Sequence, residues 1–195
     1  MGGTPYLGNA AVFLIQTLFG LFILAVLLRL LLQWVRADFY NPMAQFVVKV
    51  TNPVLRPLRR YVPGYAGIDF AALLLLVGLK LIELGLTAWV LDRGFGLPGL
   101  LVVTVADLLK LTTYVFIFSI IVQAVMSWVN PMGYNPVTAI LYRLNEPLLG
   151  PARRLIPPIS GIDLSPLAVL ILLQLTLMLL VQPLSDIGWG LALRG

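Results

Sequence analysis

The sequence predicts an all-α membrane protein in which four transmembrane helices form two tandem parallel repeats. Two observations support this prediction. The apolar residues are concentrated in runs long enough to cross a bilayer, and one proline–arginine pattern occurs twice at a constant spacing. Of the 195 residues, 60% are hydrophobic and 11% are charged. A soluble domain carries about a quarter charged residues, so this composition excludes an ordinary soluble domain.

The repeated pattern contains an Asn-Pro pair, a proline run with two adjacent arginines, and a final Gly-x-Asp. Each residue of the second copy lies 94 positions after its match in the first, as Pro42 and Pro136 illustrate. Such agreement without a gap indicates a duplication. The matched residues are Asn41, Pro42, Pro53, Pro57, Arg59, Arg60, Pro63, Gly67 and Asp69, and then Asn135, Pro136, Pro147, Pro151, Arg153, Arg154, Pro157, Gly161 and Asp163.

Four apolar segments meet the length of about 20 residues that a membrane-spanning helix requires. We assign residues 1–94 to the first repeat and residues 95–195 to the second. The expected spans lie at about 10–34 and 70–91 in the first repeat and at about 100–128 and 164–184 in the second.

Each Asn-Pro pair is expected to start a short amphipathic helix, because Asn caps well and Pro suits the first helical position. Apolar residues then recur with helical spacing. These helices are expected to end at Pro53 and Pro147, since the residue before a proline avoids the helical region. About ten residues cannot cross a bilayer, so we expect both helices to lie in the membrane interface. The alternative is a loop helix packed on the bundle.

The prolines that follow predict a stiff, extended loop, because they disfavour both helix and sheet. That loop would hold two arginines near the lipid headgroups, where the guanidinium fork suits phosphate oxygens. The candidate anion, lipid or partner ligands are Arg59, Arg60, Arg153 and Arg154. The alternative is a topology signal combined with an ion pair to the aspartate that precedes the next span, Asp69 or Asp163, which is also placed to cap that span.

The basic residues are concentrated in the two repeat loops, which predicts that both loops face the cytoplasm and both termini lie outside. The two halves then share one orientation, with a repeat axis along the membrane normal. Attraction to anionic lipid accounts for the net charge of +5. Nucleic-acid binding is therefore not expected.

Polar residues within the spans are functional candidates, because charge is costly there. Lys80 and Glu83 are spaced for an intrahelical pair. Gln174 lies at the repeat position of Lys80, and Gln123 lies at that of Arg29. These five residues suggest a polar path for an ion or solute; the alternative is hydrogen bonding that fixes the bundle.

Other residues of the spans are weaker functional candidates. Asp107 and Lys110 are expected near the outer interface, where charge costs little. Ala71, Gly78 and Gly85 form a small-residue stripe opposite Lys80, which is expected to admit another helix from the bundle or from a homo-oligomer.

Catalytic chemistry is not indicated. The chain contains no Cys and no His, and it has no catalytic, zinc or phosphate-loop motif. We therefore expect no enzyme activity, no metal site and no cofactor.

The doubled Asn-Pro and Pro-x-Leu-x-Pro-x-Arg-Arg pattern resembles the YggT family, called YlmG in other bacteria and in plastids. The resemblance covers nearly the whole chain. It implies a small multi-span protein of the bacterial inner membrane or of chloroplast membranes. The roles suggested for such proteins are tolerance of osmotic or ionic stress, organisation of membranes or division sites, and help in plastid cytochrome assembly. The resemblance supplies no catalytic residues.

Two functions are consistent with these observations. The first is a non-enzymatic scaffold or assembly factor whose arginine loops bind anionic lipid or a protein partner. The second is a transport or channel component, linked to osmotic stress, that uses Lys80, Glu83 and the polar residues at matched positions of the spans, such as Arg29 and Gln123.

Overall fold

The computed structural model describes residues 5–65, 67, 69–92, 94, 96–129, 135–156 and 163–193. Helical stretches that are long and apolar enough to cross a membrane number four in this part of the chain, which confirms the predicted fold class. The helices are α1 (Pro5–Trp34), α2 (Pro42–Leu58), α3 (Phe70–Val90), α4 (Leu97–Val129), α5 (Pro136–Leu155), α6 (Ser165–Thr176) and α7 (Gln182–Ala192). A π-helix, Leu177–Val181, joins α6 to α7, and together they form the fourth span.

Helices α2 and α5 begin as predicted. The Asn41 side chain accepts a hydrogen bond from the N–H of Met43 at 2.9 Å, and Asn135 accepts one from Val137 at 2.9 Å. A proline follows each cap in the first turn. The caps satisfy N–H groups that a helix start leaves without a partner.

The prediction that these helices end at Pro53 and Pro147 is wrong. Each helix continues through both of its internal prolines, which are Pro53 and Pro57 in α2 and Pro147 and Pro151 in α5. A proline lacks the N–H and crowds the carbonyl one turn earlier. All four prolines are exposed, so the disturbed carbonyls lie on the outer face while the inner face stays packed.

The arginine pairs therefore do not lie on an extended loop. Arg59 and Arg60 follow the last residue of α2, and Arg153 and Arg154 lie in the last turn of α5. Their position at a helix C-terminus suits the negative end of the helix dipole.

The fourth span is longer than the predicted 164–184. Gln182 donates its N–H to Leu177 O in the π-helical pattern, and α7 then continues to Ala192. The polar residues near 182–186 look like a helix end in the sequence. The helix continues because Gly188 lets it lie directly against Val103 of α4, where an added Cβ would be 2.8 Å from a valine methyl.

The bundle pairs α1 with α3 and α4 with the fourth span, and contacts between α3 and α4 join the two halves. The larger buried cluster joins residues of the first repeat to Phe116 and Leu144 of the second, and a smaller cluster lies within the second repeat. Both clusters contain residues at matching repeat positions. Val26 and Leu55 are fully buried in the first repeat, as are Ile120 and Leu149 in the second. The duplication is thus visible in the packing as well as in the motif.

The two short helices lie at the same end of the bundle. Helix α2 contacts α5, and Asn41 donates from Nδ2 to Pro136 O at 2.7 Å. Arg143 of α5 donates from Nε to Val35 O at 3.1 Å, just beyond α1. These contacts are the arrangement that parallel repeats require.

The expected close approach at Gly78 and Gly85 is not found among the described residues. A Cβ at either position would meet no atom of the described residues within 4 Å. The close approach occurs instead at Gly99, where an added Cβ would lie 2.1 Å from the backbone nitrogen of Ala192. A backbone-to-backbone contact of this kind depends on tertiary packing that a seven-residue spacing in one helix does not report.

Candidate functional site

A buried polar cluster, which we call the first clasp, ties α1 to the inner face of α2. Its centre is Arg29, whose Nη1 lies 2.7 Å from Thr51 Oγ1, 2.9 Å from Asn52 Oδ1 and 3.3 Å from Val48 O. Arg29 is only 7% exposed. No carboxylate pairs with it among the described residues, so its charge is held by neutral oxygens.

The second clasp occupies the same place in the second repeat. Asn145 donates from Nδ2 to Gln123 Oε1 at 2.8 Å and accepts from Ser119 Oγ at 2.6 Å. Gln123 and Asn145 lie at the repeat positions of Arg29 and Thr51. The geometry is kept, but the second clasp is neutral. Both clasps fit the interpretation that polar residues within the spans form hydrogen bonds that fix the bundle.

Each repeat also contains an arginine–aspartate pair that closes the loop after its short helix. Arg59 Nε donates to Asp69 Oδ2 at 3.0 Å, and Arg153 Nε donates to Asp163 Oδ2 at 3.0 Å. Arg153 has a second acidic neighbour, Glu146, at 3.5 Å. One arginine of each pair thus binds an aspartate of the same chain.

The same aspartates bond to the start of the next span. Asp69 Oδ1 accepts from the N–H of Ala72 at 3.2 Å, and Asp163 Oδ1 accepts from Ser165 at 2.9 Å. Burial raises the pKa of Asp163, but the Ser165 N–H and the Arg153 guanidinium lower it, and the net result is a pKa below the usual carboxyl value. The carboxylate is therefore the form that the folded protein favours.

The remaining motif residues occupy the connection between the short helix and the next span. Pro63 is exposed, and Gly67 has a φ of 83°, a backbone conformation that suits glycine. Pro157 and Gly161, their matches in the second repeat, lie outside the described residues. The turn in the first repeat brings Asp69 back to Arg59.

The second arginine of each pair points to a different role. Arg60 and Arg154 are exposed. Neither makes an ion pair in the part of the chain that the structure describes. Both remain available to bind an anion from outside the chain.

A cavity of about 360 Å³ adjoins the first clasp, and we call it the basic cavity. Arg29, Arg36 and Arg59 line it together with Gln33 and apolar side chains of α1 and α2. Arg36 has a φ of 51°. Its N–H bonds to Gln33 O, and the next N–H bonds to Leu32 O, the closing pattern that usually places glycine here.

The corresponding cavity of the second repeat is larger, at about 630 Å³, and differs in charge. Its lining includes Gln123, Ser127 and Arg153, together with the carboxylate of Asp163. One guanidinium and one carboxylate thus replace three guanidiniums. The two repeats have diverged at this point.

A charge cluster lies between α3 and α4 within the spans. Lys80 Nζ is 2.9 Å from Glu83 Oε1 and 3.1 Å from Asp107 Oδ2. Glu83 is 5% exposed, and its second oxygen has no hydrogen-bond partner in the structure. A cavity of about 230 Å³, which Lys110 also lines, adjoins these groups.

Asp107 makes a contact that the sequence did not predict. Helix α4 begins at Leu97, earlier than the predicted 100, so Asp107 lies farther from the start of its helix than expected. Its carboxylate is a direct partner of Lys80. No motif in the sequence links residues 27 positions apart on two helices, although the short connection between those helices was a usable signal.

The five residues of the predicted polar path do not converge. Arg29 lines the basic cavity, Gln123 lines its counterpart, and Lys80 and Glu83 line the cavity between α3 and α4. Gln174 is exposed on α6. Within one chain these groups form separate sites.

Sequence reasoning missed the clasp residues on the short helices. Thr51 and Asn145 share a repeat position and are fully buried. The signal was present: each lies on the face that also carries a buried leucine one turn later, Leu55 or Leu149. A polar residue at a core position of both repeats indicates a conserved internal contact rather than a solvent-facing helix turn.

Comparison with known proteins places this architecture. The family model described as CCB3/YggT matches the chain twice, over residues 8–90 and 102–184. An uncharacterized Pseudomonas aeruginosa protein is 42% identical over 181 residues, 92% of each chain. The uncharacterized YggT of Escherichia coli is 38% identical over 180 residues, 92% of this chain and 94% of that one. No solved structure matches. The two family matches together span most of the sequence, and the chain therefore belongs to the CCB3/YggT family.

Proposed function

We propose that this protein is a non-enzymatic organiser of the bacterial inner membrane, a scaffold or assembly factor whose basic loops face the cytoplasm and bind anionic lipid headgroups. The observation that carries the proposal is the division of labour within each arginine pair. Arg59 and Arg153 bind aspartates of the chain, whereas Arg60 and Arg154 are exposed and unpaired among the described residues. A protein partner with an acidic surface is the other ligand class that these groups suit.

The outer face of α2 supports an interfacial position. Its inner face is buried, whereas Met43, Phe46 and Val50 are exposed. Lys49 and Arg56 are exposed on the same helix. An apolar face bordered by basic residues is typical of helices that lie at the headgroup level of an anionic membrane.

The test is lipid selectivity. The protein is reconstituted in nanodiscs of equal phosphatidylglycerol and phosphatidylcholine, and the lipids that stay bound after release are identified by mass spectrometry. We expect enrichment of phosphatidylglycerol that falls by up to about fivefold per arginine in Arg60→Gln/Arg154→Gln, because one basic residue near a membrane contributes about 1 kcal/mol.

Lys110→Gln provides the control, since it removes a positive charge from an exposed residue of α4 outside the loops. Its enrichment should match that of the native protein. Equal enrichment in the native protein and in the loop variant would reject lipid binding by the arginine pairs.

A second candidate function is ion transport, and the charge cluster favours it. Charged groups within a span often mark ion pathways. Glu83 leaves one buried oxygen without a hydrogen-bond partner among the described residues, beside a cavity. That oxygen is a potential ligand for a cation or a proton.

Ion flux into liposomes tests this candidate. Replacing only Lys80 and Glu83 would leave the half-buried Asp107 without its cation partner, so the variant is Lys80→Leu/Glu83→Leu/Asp107→Leu. Flux that the native protein supports and the triple variant loses would favour transport. No flux from the native protein under any cation gradient would reject it.

A further inference from the structure

We infer that the basic cavity of the first repeat is a binding site for one phosphate group. This inference rests on the proposed function and deepens it, because an anionic phospholipid headgroup is one source of that phosphate and a free phosphate ion is the other. The matching cavity of the second repeat lacks the site.

The guanidinium of Arg29 carries a buried positive charge. This guanidinium is 7% exposed, and only its Nη1 makes hydrogen bonds in the described part of the chain. A buried charge without a counter-ion is costly, and proteins almost always pair it. The Arg29 side chain lines an open cavity, so an anion entering that cavity would supply the missing negative charge.

The charged side chains that line the basic cavity are all positive. Arg36 and Arg59 line it as well, and its lining contains no carboxylate. Asp69 neutralises Arg59. Asp38, the acidic residue of the neighbouring loop, accepts a hydrogen bond from the N–H of Tyr40 and lines an adjoining cavity, which Arg36 also lines. Arg29 and Arg36 make no ion pair among the described residues, so both can contribute positive charge to the basic cavity.

Arg36 has an unusual backbone conformation. It has a φ of 51° at the place after α1 where glycine is usual. Its side chain makes no hydrogen bond or ion pair among the described residues. An arginine held in an unfavourable backbone conformation with its side chain at a cavity is consistent with a role for that side chain in binding.

The volume and the lining of the basic cavity suit a phosphate group. About 360 Å³ lies within the range of small-molecule pockets. Guanidinium groups bind phosphate oxygens in forked geometry, and Gln33 adds an amide donor. Leu32, Val47 and Phe39 add apolar walls beside them. This combination suits a phosphate attached to an apolar group.

The second repeat supplies a variant that removes the charge and keeps the fold. Arg29→Gln/Thr51→Asn gives the first repeat the Gln–Asn pair that the second clasp already forms at 2.8 Å. The mirror control is Ser119→Ala, which gives the second repeat the alanine present at position 25. Both variants exchange residues between matched positions, so both backbones are expected to fold.

The experiment titrates purified protein in neutral detergent with short-chain phosphatidylglycerol, short-chain phosphatidylcholine and inorganic phosphate by calorimetry. We expect saturable phosphatidylglycerol binding that weakens roughly tenfold or more in Arg29→Gln/Thr51→Asn, because a charge-assisted contact is lost. Ser119→Ala should bind as the native protein does. Arg36→Gly provides a second variant, which relieves the backbone and should weaken binding several-fold without loss of thermal stability.

The two sources of phosphate are separated by competition. Displacement of phosphatidylglycerol by millimolar inorganic phosphate would support the site and identify the phosphate alone as the recognised group. Binding of the lipid without displacement would support the site and identify the whole headgroup with its chains. No saturable binding of either ligand, or equal affinity in native and Arg29→Gln/Thr51→Asn proteins, would overturn the inference.

Failure of this inference is distinguishable from failure of the proposed function. Loss of lipid enrichment in Arg60→Gln/Arg154→Gln with unchanged titrations in Arg29→Gln/Thr51→Asn would leave the proposed function standing and remove the basic cavity as its site. The opposite pattern would place binding in the cavity and remove the exposed arginines from it.

Discussion

At the scale of single residues, the duplication shows how one contact is made with two kinds of chemistry. Arg29 with Thr51, and Gln123 with Asn145, each hold a span against the inner face of a short helix. The neutral pair satisfies its own donors and acceptors at little electrostatic cost. The charged pair leaves a desolvated cation, so the first repeat carries the charge that the proposed phosphate site requires, whereas the second clasp is neutral.

The ion pair of Asp163 predicts a dependence of stability on pH. Its pKa in the folded protein lies below the usual carboxyl value. The carboxylate therefore contributes stability above about pH 4, and that contribution disappears as the pH falls through the lowered pKa. We expect Asp163→Asn to reduce the unfolding temperature at pH 7, and the difference from the native protein to shrink as the pH falls below about 4.

The effect should be small. The Asp163 side chain is 40% exposed, so water screens the pair, and a contribution below about 1 kcal/mol is expected. Thermal unfolding in detergent, followed by circular dichroism across this pH range, measures it. A difference that grows on acidification would contradict the lowered pKa.

At the scale of elements, α2 and α5 show that prolines are tolerated in a helix when their position is right. The internal prolines of each helix lie four residues apart on the exposed face. The buried residues of α2, Ala44, Thr51 and Leu55, form the opposite face. Packing of that face outweighs the lost hydrogen bonds, as tertiary contacts often do for helix propensity.

This account predicts that the internal prolines cost stability. Pro53→Ala/Pro57→Ala should raise the free energy of unfolding by about 1 to 3 kcal/mol, which is less than the combined propensity difference of about 6 kcal/mol for two prolines. Greater freedom of the unfolded chain offsets part of the gain. Urea titration in mild detergent provides the measurement, and Pro42→Ala is the control, because a proline in the first helical turn loses no hydrogen bond. A less stable double variant would show that the prolines stabilise α2.

The contact between α4 and α7 includes a close approach of two backbones at Gly99. An added Cβ at Gly99 would lie 2.1 Å from the backbone of Ala192, and Gly96 donates its N–H to Ala192 O at 2.9 Å. Backbone atoms cannot rotate away as a side chain does. The two helices must separate if Gly99 gains a side chain.

We therefore expect Gly99→Ala to destabilise the protein by about 1 to 3 kcal/mol, the usual cost of overpacking. The matched control is Gly85→Ala on α3, where an added Cβ meets no atom within 4 Å. That change should raise stability by about 0.5 to 1 kcal/mol through the better helix propensity of alanine. Comparable unfolding temperatures for the two variants would disprove the α4–α7 contact.

Whether the sequence could predict a feature depends on how far apart in the chain the interacting residues lie. The duplication, the four spans and the Asn caps depend on neighbouring residues or on the repeat register, and the structure confirms them. The path of α2 through Pro53, the pairing of Lys80 with Asp107 and the contact of Gly99 with Ala192 depend on other helices. No local pattern carries that information, which is why these features were wrong or missed.

At the scale of the whole molecule, the parallel repeats place both arginine pairs at one end of the bundle. Contacts between α2 and α5 hold the two loops side by side. This end combines basic residues, exposed apolar residues of α2 and the basic cavity. The other end, near Asp92 and Leu193, carries few basic residues. The molecule is thus polarised along the bundle, as the proposed binding of one membrane surface requires.

The orientation of this polarity is the last prediction. The chain contains no Cys, so single cysteines can be introduced for labelling. Tyr61 and Leu155 occupy matching repeat positions and are 81% and 82% exposed, and Leu193 at the other end is 68% exposed. Because basic loops stay in the cytoplasm, a membrane-impermeant maleimide added to intact spheroplasts should label Leu193→Cys and spare Tyr61→Cys and Leu155→Cys. Inverted vesicles should give the opposite result. Labelling of Tyr61→Cys and Leu155→Cys from opposite sides would contradict the parallel repeat, whereas labelling of both from outside would reverse the orientation and remove the cytoplasmic lipid surface from the proposed function.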